Sequence, residues 1–107
     1  MDCVFCKIVA GEIPAKLLAE TAHSVAFNDI APKQPVHILI VPREHHANIA
    51  DLSDANPEAL VDLMQLGSKL AAEHTDGAFR LTFNTGEAAG QTVFHAHGHI
   101  TSTLPRR

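Results

Sequence analysis

The spacing of apolar and polar residues along the chain predicts about five short strands and two helices. The clearest strand is the apolar run VHILIVP, which Pro42 ends. Two shorter runs, AKLLAE and SVAFND, flank Thr21, Ala22 and His23, and their spacing predicts a β-hairpin. The predicted strands lie at residues 15–20, 24–29, 36–42, 78–84 and 93–100.

The segment SDANPEALVDLMQLGSKLAAEH predicts one long helix. Ser53, Asp54 or Asn56 can cap its first turn, where Pro57 is well tolerated. Its apolar and small residues recur at helical spacing, which indicates contact with the core or with another subunit rather than a cofactor site. These residues are Leu60, Leu63, Met64, Gly67, Leu70 and Ala71.

A short helix is predicted near the N-terminus, in CVFCKIVA, with Val4, Phe5 and Ile8 on its buried side and Gly11 at its end. The segment REHHANIADLS, after the clearest strand, is predicted to be irregular. Consecutive strands are joined by turns too short for parallel crossovers, except where the long helix intervenes. The pattern therefore predicts an α+β domain with a mainly antiparallel five-stranded sheet, one long helix and one short helix.

The length and charge of the chain limit the kinds of protein that it can be. Its 107 residues fit one domain, which we expect to span residues 1–107. The formal net charge of −4, without any basic stripe, argues against a nucleic-acid binder. No apolar run approaches the roughly 20 residues of a membrane span, and Asp2 stands where a signal peptide carries positive charge. We therefore expect a cytoplasmic protein that binds neither nucleic acid nor membranes.

Three histidines occupy alternate positions in the last predicted strand, VFHAHGHI. In a strand, His95, His97 and His99 lie on one face, with successive Cα atoms about 6.5–7 Å apart. Such a row of imidazoles is a solvated polar face, a metal site, or a nucleophile with imidazole helpers. We favour the two chemical interpretations, because polar strand faces usually mix residue types. The opposite face is predicted to be apolar and to consist of Phe94, Ala96 and Ile100.

A glycine-bearing loop leads directly into the histidine strand. Gly90 permits close approach of the backbone, and Gln91, Thr92 and Val93 follow with N–H groups and one hydroxyl. A loop of this kind can hold phosphate oxygens. Phosphate donors beside an imidazole nucleophile are what phosphoryl or nucleotidyl transfer requires.

The sequence GQTVFHAHGHI resembles the His-x-His-x-His motif of the histidine triad (HIT) family, and the resemblance covers nearly the whole chain. The blocks CVFCKIVAGEIPAKLLAE, AFNDIAPKQPVHILIVPREH and FNTGEAAGQTVFHAHGHI follow the order of the Hint branch, the purine nucleoside phosphoramidases. This resemblance implies a HIT-like fold and an enzyme that acts at the α-phosphate of a purine nucleotide and releases a nucleoside monophosphate. Members of the Hint branch are usually homodimers joined through the long helix and a strand, so we expect a homodimer.

The resemblance also implies roles for individual residues. His97 matches the nucleophile that binds the nucleoside monophosphate covalently, His99 matches the helper that contacts the phosphate, and His95 matches the first triad histidine. His37 matches a fourth site histidine, and Asp29 matches the carboxylate that holds the ribose hydroxyls, although an Asp here also fits a turn. The groups implied near the phosphate and leaving group are Asn84, Gly90, Thr92 and Val93. The implied apolar walls around the base, which otherwise fit an ordinary core, are Phe5, Ile8, Phe27, Ile30 and Leu39.

Cys3 and Cys6 form a C-x-x-C pair, whose thiolates can chelate one zinc ion from a turn. Two further ligands are then needed, and the candidates are His95 with either His45 or His46. Some HIT relatives hold a structural zinc in this way, and the alignment of PREH implies that His45 is the ligand. Such a zinc leaves the nucleophile free to attack and is not required for catalysis. A redox pair, or two reduced cysteines on a short helix, are the alternatives.

We therefore expect a purine nucleoside phosphoramidase whose partner is a small purine nucleotide. A dinucleoside polyphosphate hydrolase of the same family, and a non-catalytic nucleotide-binding module with a structural zinc, are the alternatives. Two features depart from the family pattern. Gly98 lies between two triad histidines where an apolar residue is usual, and the sequence ends soon after the triad with TSTLPRR.

Overall fold

A five-stranded antiparallel sheet forms the centre of the structure, a computed structural model that describes residues 3–103. The elements are α1 (Val4–Val9), β1 (Leu17–Glu20), β2 (Ser24–Asn28), β3 (Val36–Pro42), α2 (Ile49–Ala55), α3 (Pro57–His74), β4 (Arg80–Phe83) and β5 (Gly98–Ser102), with a 3₁₀ turn at Glu87–Ala89. The strands follow the order β1-β2-β3-β5-β4, and every neighbouring pair is antiparallel. This architecture confirms the predicted α+β class.

The strand β3 is the centre of the sheet, and all of its residues are buried. Because side chains alternate between the two faces of a strand, β3 contributes to two separate cores. Ile38 and Ile40 pack in the cluster that includes the buried side of α3. Leu39 and Val41 pack in a second cluster with Phe5 of α1. The continuous apolar run therefore reflects a strand that is covered on both faces.

The long helix α3 covers one face of the sheet. Its cap is Asn56, whose side chain accepts a hydrogen bond from the Ala59 N–H. Most of the predicted apolar stripe is buried, but Met64 is 39% exposed. The buried residues are Ala59, Leu63, Leu66, Gly67, Leu70 and Ala71. Neither α3 nor any other helix within residues 3–103 has the length and apolar character needed to cross a membrane.

The helix α2 corrects the prediction of an irregular segment after β3. The side chain of Asn48 caps this helix by accepting a hydrogen bond from the Asp51 N–H at 2.9 Å. Leu52 is its one buried residue, so the helix shows little apolar periodicity. The signal for α2 in the sequence is its cap rather than its pattern of apolar residues.

Two apolar side chains are oriented differently from the prediction. In α1, Phe5 is buried, whereas Val4 is 42% exposed. Phe94 is 50% exposed because β5 begins only at Gly98, so strand alternation does not extend back to Phe94. His95 and His97 consequently lie on an irregular segment that leads into β5.

Gly98 is explained by the close approach of side chains from the two neighbouring strands. It pairs with Ile40 of β3 and with Phe83 of β4. A Cβ atom at this position would lie 2.8 Å from Phe83 Cε1, 3.0 Å from Leu81 Cδ1 and 3.2 Å from Ile40 Cγ2. Core side chains thus fill the space that a larger residue would occupy.

We expect Gly98→Ala to lower the free energy of unfolding by about 1–3 kcal/mol, the usual cost of overpacking a core. Gly67→Ala is the matched control. Its added Cβ atom would lie 3.5 Å from Ile100 Cδ1 and 3.6 Å from Ile40 Cδ1, which are ordinary contact distances, and alanine is the better helix former. Urea unfolding of both variants measures the difference. Unchanged stability of Gly98→Ala would contradict the packing argument.

Candidate active site

A cavity of about 650 Å³ opens between α1, the segment that follows it, and the face of the sheet formed by β2 and β3. Its volume lies in the range of sites for small molecules and cofactors. The five apolar residues that the sequence assigned to a base site all line it: Phe5, Ile8, Phe27, Ile30 and Leu39. Ile30 is fully exposed at the rim, where a bound ligand would cover it.

The cavity also includes residues that the sequence analysis did not assign. Ile13, Pro14, Ala15 and Lys16 lie between α1 and β1, and Asn28 lies at the end of β2. Lys16 is exposed and brings a positive charge to the wall. The segment GEIPAK resembles an ordinary turn before a strand, so its position in the wall becomes clear only from the fold.

His97 makes a ring hydrogen bond that determines its tautomer. Its Nδ1 lies 2.7 Å from the backbone oxygen of His95. Because a carbonyl oxygen can only accept, Nδ1 carries the proton and Nε2 keeps its lone pair. The ring lines the cavity and packs edge-on against Phe5, with centroids 5.0 Å apart. A buried imidazole with a free Nε2 at the wall of a cavity can act as a nucleophile.

A chain of contacts determines the tautomer of His99. The Lys33 N–H donates to His37 Nδ1 at 3.1 Å, so neutral His37 carries its proton on Nε2. That atom lies 3.0 Å from His99 Nδ1, which therefore accepts and leaves His99 with an Nε2–H donor. Burial, followed by the nearby His97 and His37, lowers the pKa of His99. His99 is therefore a neutral hydrogen-bond donor near pH 7, and its ring lines the cavity.

Asp29 has both a turn contact and an oxygen that faces the site. Its Oδ1 accepts the Ala31 N–H at 2.8 Å, as expected of a turn residue. Its Oδ2 lies 3.4 Å from His37 Nε2, and the residue lines the cavity. The second oxygen is thus placed to accept hydrogen bonds from a bound molecule.

Asp29, His37 and His99 bring their polar atoms within 4.8 Å of one another, a spacing that metal ligands also show. The Lys33 N–H already occupies Nδ1 of His37, and Nε2 carries the proton. Neutral His37 therefore has no lone pair left for a metal ion. We interpret this group as a hydrogen-bonded relay rather than a metal centre.

Gly90 and Gln91 stabilise the loop before the histidines. The Gly90 N–H donates to the Glu87 oxygen at 3.0 Å, and the Gln91 N–H donates to the Gly86 oxygen at 3.1 Å. The buried Gln91 side chain accepts from the Gly86 N–H and donates to the Ala47 oxygen. These N–H groups are not free to bind a phosphate, which corrects the prediction for both residues.

Thr92 and Val93 provide the donors that remain open in this loop. Both residues line the cavity, and no hydrogen bond found for residues 3–103 engages their N–H groups. Asn84 lies beside Gly90, with its Nδ2 atom 3.7 Å from the position that a Cβ on Gly90 would take, and it is not one of the residues that line the cavity. The two N–H groups and the Thr92 hydroxyl therefore lie in the same cavity wall as His97.

Cys3, Cys6, His45 and His95 bring their ligand atoms together beside α1, and we call these four residues the Cys/His cluster. Cys6 Sγ lies 3.2 Å from His45 Nδ1 and 3.4 Å from His95 Nδ1. Cys3 Sγ lies 3.4 Å from His95 Nδ1, and the two Nδ1 atoms are 3.2 Å apart. A tetrahedral zinc ion with ordinary bond lengths needs ligand atoms about 3.3–3.8 Å apart. The cluster therefore has nearly the spacing of a tetrahedral metal site.

The hydrogen bonding of the Cys/His cluster also suits a cation. His95 Nε2 lies 2.9 Å from the Pro42 oxygen, so the proton sits there and the Nδ1 lone pair faces the thiols. Burial lowers the pKa of His95 and raises the pKa of the Cys6 thiol, and a bound cation would take the place of the thiol protons. His46 is not one of the four residues whose ligand atoms come together, and its Nε2 lies 2.6 Å from a Glu44 carboxylate oxygen.

A second cavity, of about 550 Å³, reaches the Cys/His cluster from outside. Cys3 and His45 line this cavity, whereas Val4, Thr92 and Val93 line both cavities and form the wall between them. The Cys/His cluster therefore borders a cavity other than the one that His97 lines.

Comparison with known proteins finds relatives over most of the chain. Residues 2–105 match the family described as scavenger mRNA decapping enzyme C-term binding. The adenosine 5'-monophosphoramidase hnt1 of Schizosaccharomyces pombe is 44% identical over 100 residues, which cover 94% of this chain and 73% of that protein. A HIT family hydrolase from Clostridium thermocellum is 40% identical with a TM-score of 0.89, over 96% of this chain and 91% of the other. A HIT family hydrolase from Legionella pneumophila is 41% identical with a TM-score of 0.88, over 96% of this chain and 94% of the other.

We expect His99→Gln to reduce the loss of stability on acidification. The pKa of His99 is lowered in the folded protein but is about 6.5 in an unfolded chain. Stability from this group is therefore complete above about pH 6.5 and is lost as the pH falls towards the folded pKa. Urea unfolding between about pH 7 and pH 5 measures the slope, with His23→Gln in the hairpin turn as the control. Identical slopes for the original protein and His99→Gln would refute this assignment.

Proposed function

Because the chain belongs to the histidine triad (HIT) family, we propose that it hydrolyses purine nucleoside phosphoramidates, or related nucleotide esters, at the α-phosphate. The names of its relatives, an adenosine 5'-monophosphoramidase and two HIT family hydrolases, support this choice of reaction. The observation that carries the proposal is the hydrogen bond from His97 Nδ1–H to the His95 carbonyl. It leaves Nε2 of His97 as a nucleophile in the wall of the cavity.

In the first step, His97 Nε2 attacks the α-phosphorus of the N-protonated phosphoramidate. The N–P bond to the ring forms, and the bond from phosphorus to the leaving amine breaks, so that the amine departs with the proton it already carries. His99 Nε2–H and the N–H groups of Thr92 and Val93 donate to the phosphate oxygens and stabilise the developing charge. The His95 carbonyl stabilises the positive charge that the ring acquires. The product of this step is a nucleotidyl group on His97.

In the second step, a water molecule attacks the same phosphorus and loses a proton to solvent. The bond between phosphorus and His97 Nε2 breaks, which restores the lone pair of the ring and releases the nucleoside monophosphate. His95 takes no part in proton transfer in this scheme, because its Nε2 donates to the Pro42 oxygen and its Nδ1 faces the Cys/His cluster.

The remainder of the cavity suits a nucleoside. Asp29 Oδ2 can accept from the two ribose hydroxyls, since Oδ1 is held by the Ala31 N–H. Phe27, Leu39 and Ile8 offer an apolar surface to the flat faces of a base. A volume of about 650 Å³ leaves room for a purine, and the base is the part of the substrate that gains most from burial of apolar area.

We expect the protein to release AMP from adenosine 5'-phosphoramidate, and His97→Ala to lower kcat by at least about 10³-fold, as expected on loss of a nucleophile. His23→Ala, in the turn between β1 and β2, is the control and should retain full activity. Chromatography of released AMP measures the rate, and intact mass after an alkaline quench detects nucleotidyl-His97. Unreduced release by His97→Ala would rule out the covalent mechanism. A higher kcat/KM for a dinucleoside polyphosphate than for the phosphoramidate would favour the polyphosphate hydrolase alternative.

We further propose that the Cys/His cluster holds one structural zinc ion. The ligand spacing and the His95 tautomer support this assignment, and the chemistry that zinc supplies here is a crosslink between α1 and the sheet. We expect one zinc ion per chain by elemental analysis and its loss in Cys6→Ser, whereas His46→Ala should retain it. Retention of zinc by Cys6→Ser would exclude the site.

We also propose that the chain forms a homodimer through α3 and the edge strand β4. Val61 and Met64 of α3 are 55% and 39% exposed, and Phe79, just before β4, is 38% exposed. These exposed apolar side chains are available for a contact between subunits. We expect light scattering at micromolar concentration to give twice the mass of the chain, and Val61→Glu to give a monomer. Ser53→Glu, on α2, is the control, and a monomeric original protein would exclude the dimer.

A further inference from the structure

The helix α1 contributes to both sites described above. Cys3 is its N-terminal cap and Cys6 lies one turn later, and both belong to the Cys/His cluster. Val4, Phe5 and Ile8, on the same helix, line the first cavity. A single short helix therefore supplies both thiols of the cluster and part of the wall that a nucleotide would contact.

Side chains, rather than backbone hydrogen bonds, attach α1 to the sheet. Among residues 3–103, the backbone hydrogen bonds of the segment 3–13 all stay within that segment. A helix of six residues is too short to be stable without tertiary contacts. Its attachments include the packing of Phe5, Ile8 and Val9 on the second core cluster and the contacts of the thiols with imidazoles, and thiols form only weak hydrogen bonds.

Phe5 lies between the Cys/His cluster and the nucleophile. Its side chain is 6% exposed. Its ring makes T-shaped contacts with the rings of His95 and His97, with centroids 5.9 Å and 5.0 Å apart. The same ring contacts Phe27, in the apolar wall of the cavity, at 5.8 Å. A displacement of α1 would therefore disturb the nucleophile and the wall together.

We propose that Phe5 is a positioning residue through which zinc in the Cys/His cluster strengthens the binding of nucleoside monophosphates. A metal ion that bridges the cluster fixes Cys3 and Cys6, and α1 then holds Phe5 against His97 and Phe27. A bound nucleotide in turn packs on Phe5 and holds α1 in the same position. Because such coupling is reciprocal, each ligand raises the affinity of the other by one common factor. The inference rests on the proposed nucleotide site and zinc site, but not on the hydrolytic step.

Two measurements test the coupling. Titration calorimetry with AMP compares the zinc-loaded protein with protein treated with a chelator, and we expect at least about fivefold weaker binding without zinc. Competition with a chromophoric chelator then measures zinc affinity with and without saturating AMP, and we expect the same factor. The second measurement starts from the loaded protein, so it does not require the metal-free chain to stay folded. Equal affinities in either comparison would overturn the proposal.

The variant Phe5→Leu distinguishes local coupling from a general effect of zinc on stability. Leucine keeps an apolar wall but removes the aromatic ring that packs against His95 and His97. We expect this variant to bind zinc with an affinity that AMP no longer changes. Glu12→Ala, at an exposed position just after the same helix that lines neither cavity, is the control and should keep the coupling. Coupling that survives in Phe5→Leu, or that disappears in both variants, would refute the role of Phe5.

The outcomes also distinguish this proposal from the proposed function. If the protein hydrolyses the phosphoramidate but binds AMP equally well with and without zinc, the coupling alone is overturned. Absence of AMP binding in both the loaded and the chelated protein overturns the nucleotide site, and the coupling fails with it.

Discussion

Much of the structure depends on the buried imidazole of His95 and on its three separate partners. Its Nε2–H donates to the Pro42 oxygen at the end of β3, and its Nδ1 faces the thiols of Cys3 and Cys6. Its backbone carbonyl accepts from the ring of His97. One residue therefore joins the central strand, the N-terminal helix and the nucleophile. None of these three can change position without a change at His95.

His95 and His37 show that a backbone hydrogen-bond partner can decide which chemistry a histidine performs. A carbonyl takes the ring proton of His95, so the other nitrogen is left with a lone pair that suits a cation. An N–H group occupies the lone pair of His37, so its other nitrogen keeps the proton and donates a hydrogen bond to His99. Both arrangements place several polar atoms within 4.8 Å. Ligand spacing alone does not separate them, whereas the direction of one hydrogen bond does.

The sequence predicted those features that depend on residue type and short spacing. The hairpin, the central strand, the long helix and the Cys3–Cys6 pair are of this kind, because alternation, caps and the C-x-x-C spacing are local patterns. His45 entered the predicted metal site only through the resemblance to the HIT family. The sequence did not predict features that distant contacts decide. The sequence predicts that Gln91 donates to a phosphate, whereas in the structure its side chain donates to the Ala47 oxygen. The sequence predicts that Phe94 is buried, whereas β5 begins only at Gly98. Lys16 belongs to the cavity only because the chain after α1 folds back over β2.

The space beside Gly98 limits which residues can occupy position 98. The volume next to the strand is fixed by Ile40, Leu81 and Phe83, so position 98 and the edge strand share one space. In this packing, a valine or leucine at position 98 would need smaller side chains on β4, where Phe83 and Leu81 now fill the space. Packing therefore constrains position 98 of the histidine motif and the β4 position held by Phe83 together. Judged by the motif alone, glycine looks like a defect, but in this packing it is the complement of Phe83.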